Sequence, residues 1–208
     1  MRISKHIHSC LLVEEGEKVI LVDPGNYSAQ EHALNIQSLT KLDEIAITHE
    51  HPDHMDIPTL KEFVTKFPDV KVFSTPSVRD LLANEKIEVL TTNNENVQLN
   101  PAPHEKIWVG SPVANVMVTL FDRLTSPGDS FTFNGSAEIL ALPLQAPWGN
   151  MTQAVYSALV AKPKIIIPIH DYHLKDEFRR EYYIRLKDYF SQNNIDFRGL
   201  ETGEIIEV

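Results

Sequence analysis

Residues 49–54 read His-Glu-His-Pro-Asp-His, gathering three imidazoles and a carboxylate in a chain of 208 residues that holds nine histidines in all. Imidazole nitrogen and carboxylate oxygen are the donors that divalent transition metals take, so the chemistry to weigh first is metal binding. His49 and His51 stand two apart, and on an extended segment their side chains project to one side. Two rings so placed can reach one cation at ~2.0–2.1 Å. Asp53 and His54 follow as the chain turns, placed to face a second cation, and Pro52 restrains the turn between the pairs.

A site for two metals needs more donors than these four. His104 follows a proline-rich loop in "NPAPHEKI", and Asp129 sits where a turn meets a strand in "SPGDSF". Taken singly, the first reads as a surface histidine and the second as a turn residue. His170 ends the apolar run "KIIIPIH", and the C-terminal tip of a buried strand is where α/β folds build their sites. Asp23 ends another apolar run, "KVILVD". It is expected to accept a hydrogen bond from the non-coordinating nitrogen of a ligand histidine and so fix its tautomer; a plain Asp-Pro-Gly turn is the alternative.

These residues need elements to position them. Residues 2–13, 18–23, 44–48, 70–74, 114–121, 129–133, 138–142, 164–169, 195–199 and 203–207 read as strands. Ile57, Leu60, Phe63, Val64 and Phe67 recur at helical spacing, with Asp56 as N-cap and Pro58 in the first turn. Further helices are expected over 76–84, 151–161 and 174–191. Strands alternate with helices, but hairpins also occur, which suggests an α/β (α+β) fold of sheets covered by helices rather than a doubly wound sheet. The length suits one domain, with no repeat or linker.

The formal net charge is −10, which opposes a nucleic-acid-binding surface built of clustered Lys and Arg. No apolar run approaches the ~20 residues that span a bilayer, and Glu14 and Glu15 interrupt the N-terminal apolar run, so no membrane partner is expected and the protein reads as cytoplasmic. Cys10, the single cysteine, excludes an intramolecular disulfide and reads as a buried packing residue. A homo-oligomer stays open: Tyr182, Tyr183 and Tyr189 on the 174–191 helix suit a core or an interface.

His-x-His-x-Asp-His after a short strand, then "PAPH", "PGDS" and "KIIIPIH" in that order, resembles the metallo-β-lactamase superfamily over nearly the whole chain. The stretch "ALPLQAPWGNMTQAVYSALVAKPKIIIPIH" is most similar to its small metal-dependent hydrolases, a branch that includes lactonases acting on sugar phosphates. The resemblance implies an αββα sandwich over residues 1–208. It implies one cation held by His49, His51 and His104 and a second held by Asp53, His54 and His170, with Asp129 bridging. Zn²⁺ is the expected metal, with Mn²⁺ or Fe²⁺ as alternatives. Two such cations ~3.5–4 Å apart lower the pKa of a bridging water and polarise a carbonyl or phosphoryl oxygen.

The expected reaction is hydrolysis of a small anionic metabolite, a lactone, ester or phosphodiester, with Asp53 as ligand and orienter of the nucleophile. Trp148, Asn150 and Met151 lie in a loop expected to overhang the metals, and His8 and Tyr172 are further candidates for substrate contacts. The alternatives are a nuclease of the same fold and a non-catalytic metal-binding regulatory protein. The acidic charge opposes the first, and a donor set larger than a closed four-ligand cage opposes the second. An oxygen-reducing di-iron relative carries Glu where this chain has His51, and no flavin domain is expected here.

Overall fold

Several of the strand-forming runs are apolar on both faces, so each sheet has to be covered twice. The computed structural model describes residues 1–108 and 113–208. Its strands are β1 (Arg2–Ile7), β2 (Cys10–Glu15), β3 (Lys18–Val22), β4 (Glu44–Ala46), β5 (Lys71–Phe73), β6 (Val89–Leu90), β7 (Val97–Pro101), β8 (Val116–Leu120), β9 (Leu124–Ser126), β10 (Ile139–Pro143), β11 (Ile165–Ile169), β12 (Asp196–Phe197) and β13 (Ile205–Glu207). Its helices are α1 (Asn26–Gln30), α2 (Ile57–Lys66), α3 (Pro76–Ala83), α4 (Met151–Ala161) and α5 (Asp176–Ser191).

The strands form a seven-stranded sheet in the order β13-β1-β2-β3-β4-β5-β6 and a six-stranded sheet in the order β12-β11-β10-β9-β8-β7. The two sheets face one another. Leu11, Val13, Ile20 and Val22 of the first pack against Val118, Ile139, Ala141 and Ile167 of the second. The alternate residues point outward, as the two-residue period of a strand requires. Leu12 and Leu21 meet Leu60 and Phe63 of α2 and Leu82 of α3. Leu140, Leu142 and Ile166 meet Ala154 and Ala158 of α4 and Leu186 and Phe190 of α5. The layers are therefore helix, sheet, sheet, helix: an αββα sandwich. Each fully buried Leu, Ile or Phe contributes roughly 1.5–3 kcal/mol.

Strand direction decides where the chemistry collects. β1 and β3 are both antiparallel to β2, and β4 is parallel to β3, so β1, β3 and β4 run the same way. In the second sheet β7 and β9 are both antiparallel to β8, and β10 and β11 are parallel to β9. His8 follows β1, Asp23 follows β3, and His49–His54 follow β4. His104 follows β7, Asp129 follows β9, Trp148 follows β10 and His170 follows β11. The reversed strands β2, β8 and β13 deliver none of these residues.

Two expectations need correction. The strand read over 2–13 is a hairpin, broken at His8, whose φ of 56° is left-handed. The strand expected over 129–133 does not form; the pairing strand is β9 instead. The physical reason is that the backbone donors of this segment are engaged by side chains. Asp129 N donates to Asn115 Oδ1 at 3.3 Å, Phe131 N to Glu105 Oε1 at 2.9 Å, and Thr132 N to Ser130 Oγ at 3.1 Å. The short strands β6 and β7 and helix α1 carried no periodic signal and were not anticipated. Asp56 caps α2, accepting from Thr59 N at 3.0 Å, with proline in the first turn.

Candidate metal centre

Three strand ends of the first sheet and four of the second converge on one edge of the sandwich. There the donor atoms sort into two groups. His8, Asp53, His54 and His170 each offer an atom within 4.8 Å of the others, and so do His49, His51, His104 and Asp129. Asp129 also reaches across. Its Oδ1 lies 3.0 Å from His54 Nε2 and 2.8 Å from His170 Nε2, while its Oδ2 lies 3.3 Å from His104 Nε2 and 3.7 Å from His49 Nε2.

The contacts among the rings test whether cations fit. His54 Nε2 and His170 Nε2 are 2.9 Å apart, His49 Nε2 and His51 Nδ1 are 3.1 Å apart, and His104 Nε2 and His51 Nδ1 are 3.3 Å apart. Asp129 Oδ1 is buried without a hydrogen-bond partner, although two ring nitrogens lie within 3.0 Å of it. Lone pairs facing each other in a buried site repel unless a proton or a cation lies between them. Imidazole and carboxylate are also the donors that Zn²⁺, Mn²⁺ and Fe²⁺ accept, so the residues fit divalent metals.

Residues 2–170 match the family model of the beta-lactamase superfamily domain. The chain belongs to this superfamily. Protein Rv0786c of Mycobacterium tuberculosis is 30% identical over 201 residues, spanning 90% of this chain and 92% of that protein. A protein of Caldivirga maquilingensis named UPF0173 metal-dependent hydrolase is 25% identical over 180 residues, 78% of each chain. The solved structure of Igni18, a metallo hydrolase from Ignicoccus hospitalis, superposes with a TM-score of 0.70 at 19% identity, covering 99% of this chain and 97% of that one. The fold is that of the metallo-β-lactamases.

Within this superfamily fold, the groups behind the donors hold them in register. Asp23 is fully buried and accepts three hydrogen bonds: Thr48 N donates to Oδ1 at 2.7 Å, and Thr48 Oγ1 and His54 Nδ1 donate to Oδ2 at 2.9 and 2.8 Å. With its own proton given to Asp23, Thr48 Oγ1 accepts from His49 Nδ1 at 3.0 Å. One carboxylate thus sets the tautomer of His54 directly and of His49 through a hydroxyl, leaving both Nε2 atoms bare toward the centre. His104 Nδ1 donates to the Glu105 carbonyl at 2.6 Å, with the same effect. Asn115 Nδ2 donates to the carbonyls of Ala102 and Pro127 at 2.8 and 2.9 Å, tying together the loops that carry His104 and Asp129. Behind His170, Asp171 accepts from buried Lys5 at 2.6 Å and from the Tyr183 hydroxyl.

Gly25 is needed where the Asp23 turn meets the loop that carries Asp53 and His54. A Cβ there would lie 1.9 Å from the Asp53 carbonyl oxygen, so no larger residue fits without moving one of the two.

Electrostatics shape the protonation states. Burial and neighbouring His170 push His8 down to about 3. Burial and His54 hold His49 well below the usual range, and burial and His104 lower His51. Burial alone would lower His54, but Asp129 and Asp23 outweigh it and hold the ring well above its ordinary value. Burial likewise opposes ionisation of Asp129 and Asp53; the facing histidines win, and both carboxyls stay far below the usual carboxylate range.

A cavity of about 160 Å³ opens over the donors. His8 and Trp148 line it, together with His173, Ile107 and Trp108, which sequence reasoning did not single out. Asn150 and Met151, expected at the pocket, do not line it. Asn150 caps α4, its Oδ1 accepting from Thr152 N and Gln153 N at 3.0 and 3.2 Å, and Met151 packs on the outer core under α4. Tyr172 is also outside the lining; its ring lies 4.6 Å from that of Tyr27 and its hydroxyl donates to Glu31 at 2.9 Å. Thr48 and Asn115, missed from sequence, touch no ligand-facing space and leave no local signature. Among the described residues no helix is long and apolar enough to cross a membrane.

Proposed function

We propose that this protein is a metal-dependent hydrolase of small molecules, acting on a lactone, ester or phosphodiester bond. The observation that carries the reading is Asp129, whose two oxygens divide between two converging groups of donors. In this reading His49, His51 and His104 would hold one divalent cation and Asp53, His54 and His170 a second, with Asp129 within reach of both groups. Zinc is the expected metal. When bound, the cations supply a Lewis acid for the substrate oxygen and acidify water.

The chain's own residues do the rest. His8 Nε2 lies 3.1 Å from Asp53 Oδ2 and steadies the carboxylate that orients the attacking water. Asp23 and Thr48 keep His54 and His49 in the tautomers that present bare nitrogens. Trp148 walls the cavity against bulk water. Cys10 is no rival nucleophile, because burial pushes its thiol up to about 12. Neighbours named metal-dependent hydrolase and metallo hydrolase support the same class.

The test is reconstitution with zinc or manganese, elemental analysis, and a panel of lactone, thioester and phosphodiester substrates. Activity is expected to require metal and to fall by orders of magnitude in Asp53→Ala. Hydrolysis that survives both thorough chelation and loss of Asp53 overturns the reading.

A further inference from the structure

The walls of the cavity say more about the substrate than its floor does. The floor is polar, with Asp53, Asp129 and the ring histidines, but the walls are Ile107, Trp108, Ala146, Pro147 and Trp148. No lysine or arginine lines the cavity among the described residues. A phosphate or carboxylate on the distal end of a substrate would meet no lysine or arginine there. Sites that select such groups use Arg or Lys forks.

The two tryptophans of the chain both face this one space. Trp148 is fixed: its ring lies 5.1 Å from that of Phe131, and Gly149 leaves no room beside that same ring. It also reaches the donors, with ring centroids 5.3 Å from His170 and 6.1 Å from His104. Trp108 is 85% exposed at the mouth. An indole left open beside an apolar cavity gains from a flat apolar partner that covers it. The cavity of about 160 Å³ is on the order of the ~150 Å³ space that accepts one benzene ring.

We infer that the substrate is an uncharged carbonyl compound bearing a single aromatic or similarly flat apolar group, with that group held between Trp148 and Trp108 and the scissile carbonyl directed at the metal donors. The inference rests on the hydrolase reading and narrows it to neutral esters or lactones, replacing the anionic metabolite expected from sequence. The bond broken is the acyl C–O bond; water supplies OH to the acyl carbon and its proton to the leaving oxygen.

The experiment uses zinc-reconstituted protein and three uncleavable amides: acetanilide, 4-acetamidobenzoate and N-methylacetamide. Intrinsic tryptophan fluorescence reports on this cavity alone, because the chain has no other indole, and calorimetry gives Kd independently. Acetanilide is expected to bind about tenfold more tightly than either of the others, the size expected for an aromatic stacking contact. Trp108→Ala, at an exposed position, is expected to weaken acetanilide several-fold and leave N-methylacetamide unchanged; Trp148→Phe, which keeps a ring, is expected to weaken it less than Trp148→Ala. Equal or tighter binding of 4-acetamidobenzoate, or acetanilide binding unaffected in Trp108→Ala and Trp148→Ala alike, overturns the inference. Turnover of phenyl acetate and 4-carboxyphenyl acetate separates the two claims. Selective acetanilide binding with no turnover of any ester sinks the hydrolase reading and keeps the pocket chemistry. Turnover that favours the carboxylate ester sinks the pocket chemistry and keeps the hydrolase.

Discussion

Asp23→Asn changes one atom type at a fully buried position and asks whether the carboxylate or merely the turn matters. In the native chain Oδ2 receives two protons, from His54 Nδ1 and Thr48 Oγ1, and Oδ1 receives a third from Thr48 N. An amide cannot serve all three. With its NH₂ in the Oδ2 position it faces the His54 and Thr48 donors; flipped, it faces the Thr48 amide. The first arrangement forces His54 into the other tautomer, with its proton on the nitrogen that should face the metal. A hydrogen bond to a charged group is worth about 1.5–3 kcal/mol, which corresponds to roughly 10- to 100-fold in affinity. That range matches the usual cost of removing an outer-shell partner of a metal ligand. Zinc affinity, measured by competition with a chromophoric chelator, should fall by 10- to 100-fold on that principle, and the Tm of chelator-treated protein should fall far less. Thr48→Val, which removes the hydroxyl and keeps the shape, should lose part of the same affinity through His49. Unchanged zinc affinity in Asp23→Asn, with only the metal-free Tm lowered, refutes the tautomer argument and reduces Asp23 to a turn residue.

Other perturbations test other joints of the molecule. Saturating zinc at a thousand times Kd should stabilise the fold by about 4.1 kcal/mol for each site filled, read by scanning calorimetry and reversed by chelation. Gly25→Ala drives a Cβ into the Asp53 carbonyl and should cost at least ~1–3 kcal/mol in urea unfolding while weakening zinc binding, because the two loops must part. Lys5→Met leaves Asp171 buried without its ammonium partner and should cost about 3–5 kcal/mol, with much of that recovered in Lys5→Met/Asp171→Asn; equal stability of the single and double variants would show the pair to be incidental. Glu15 is held below its ordinary value of 4.5 first by a hydrogen bond from the N-terminal ammonium and further by Arg123. Its folded pKa is depressed, so its contribution is present above that value and lost as pH falls through the folded pKa. Glu15→Gln should therefore lower stability near neutral pH by under ~1 kcal/mol and leave it unchanged below the folded pKa, flattening the fall toward acid, since the group is largely solvated.

What could be read from sequence was what is contiguous. His49 to His54 announce themselves because four donors share one turn of chain, and the strands before Asp23 and His170 do so because their apolar runs stop at a polar residue. His104 and Asp129 sit in loops with no periodicity, so only the order of the matching segments connects them to the centre; the structure brings both within 3.3 Å of each other. Trp108 and His173 approach the cavity through tertiary folding alone. Asn150 illustrates the opposite failure. Its pattern, Asn followed by Gln three residues later at the head of an apolar helix, is a helix-capping signature already present in the sequence. Reading it as a pocket residue ignored a local hydrogen-bonding demand that the first turn of α4 had to meet. The 129–133 segment failed similarly: its residues look strand-like, but Asn115 and Glu105 bind its backbone first.

The strand ends explain why this edge can hold so many donors. His8, Asp23 and His170 each follow a strand directly, and each takes a left-handed backbone, with φ of 56°, 45° and 55°. For residues other than glycine such a conformation costs on the order of 1 kcal/mol or more. The turn it makes ends the strand's alternation at the edge where the donors gather. The surrounding ladder over-determines these positions: Asp23 N donates to the Ala46 carbonyl at 3.0 Å, and His170 N donates to the His8 carbonyl at 3.3 Å. The second bond joins the two sheets, as does Asp129 Oδ1 beside His54. The geometry of the centre therefore belongs to neither sheet alone. Sliding one sheet by the length of a single hydrogen bond would part His170 from His8 and draw Asp129 away from His54, so the dense apolar core between the sheets is also what keeps the donors within reach of one another.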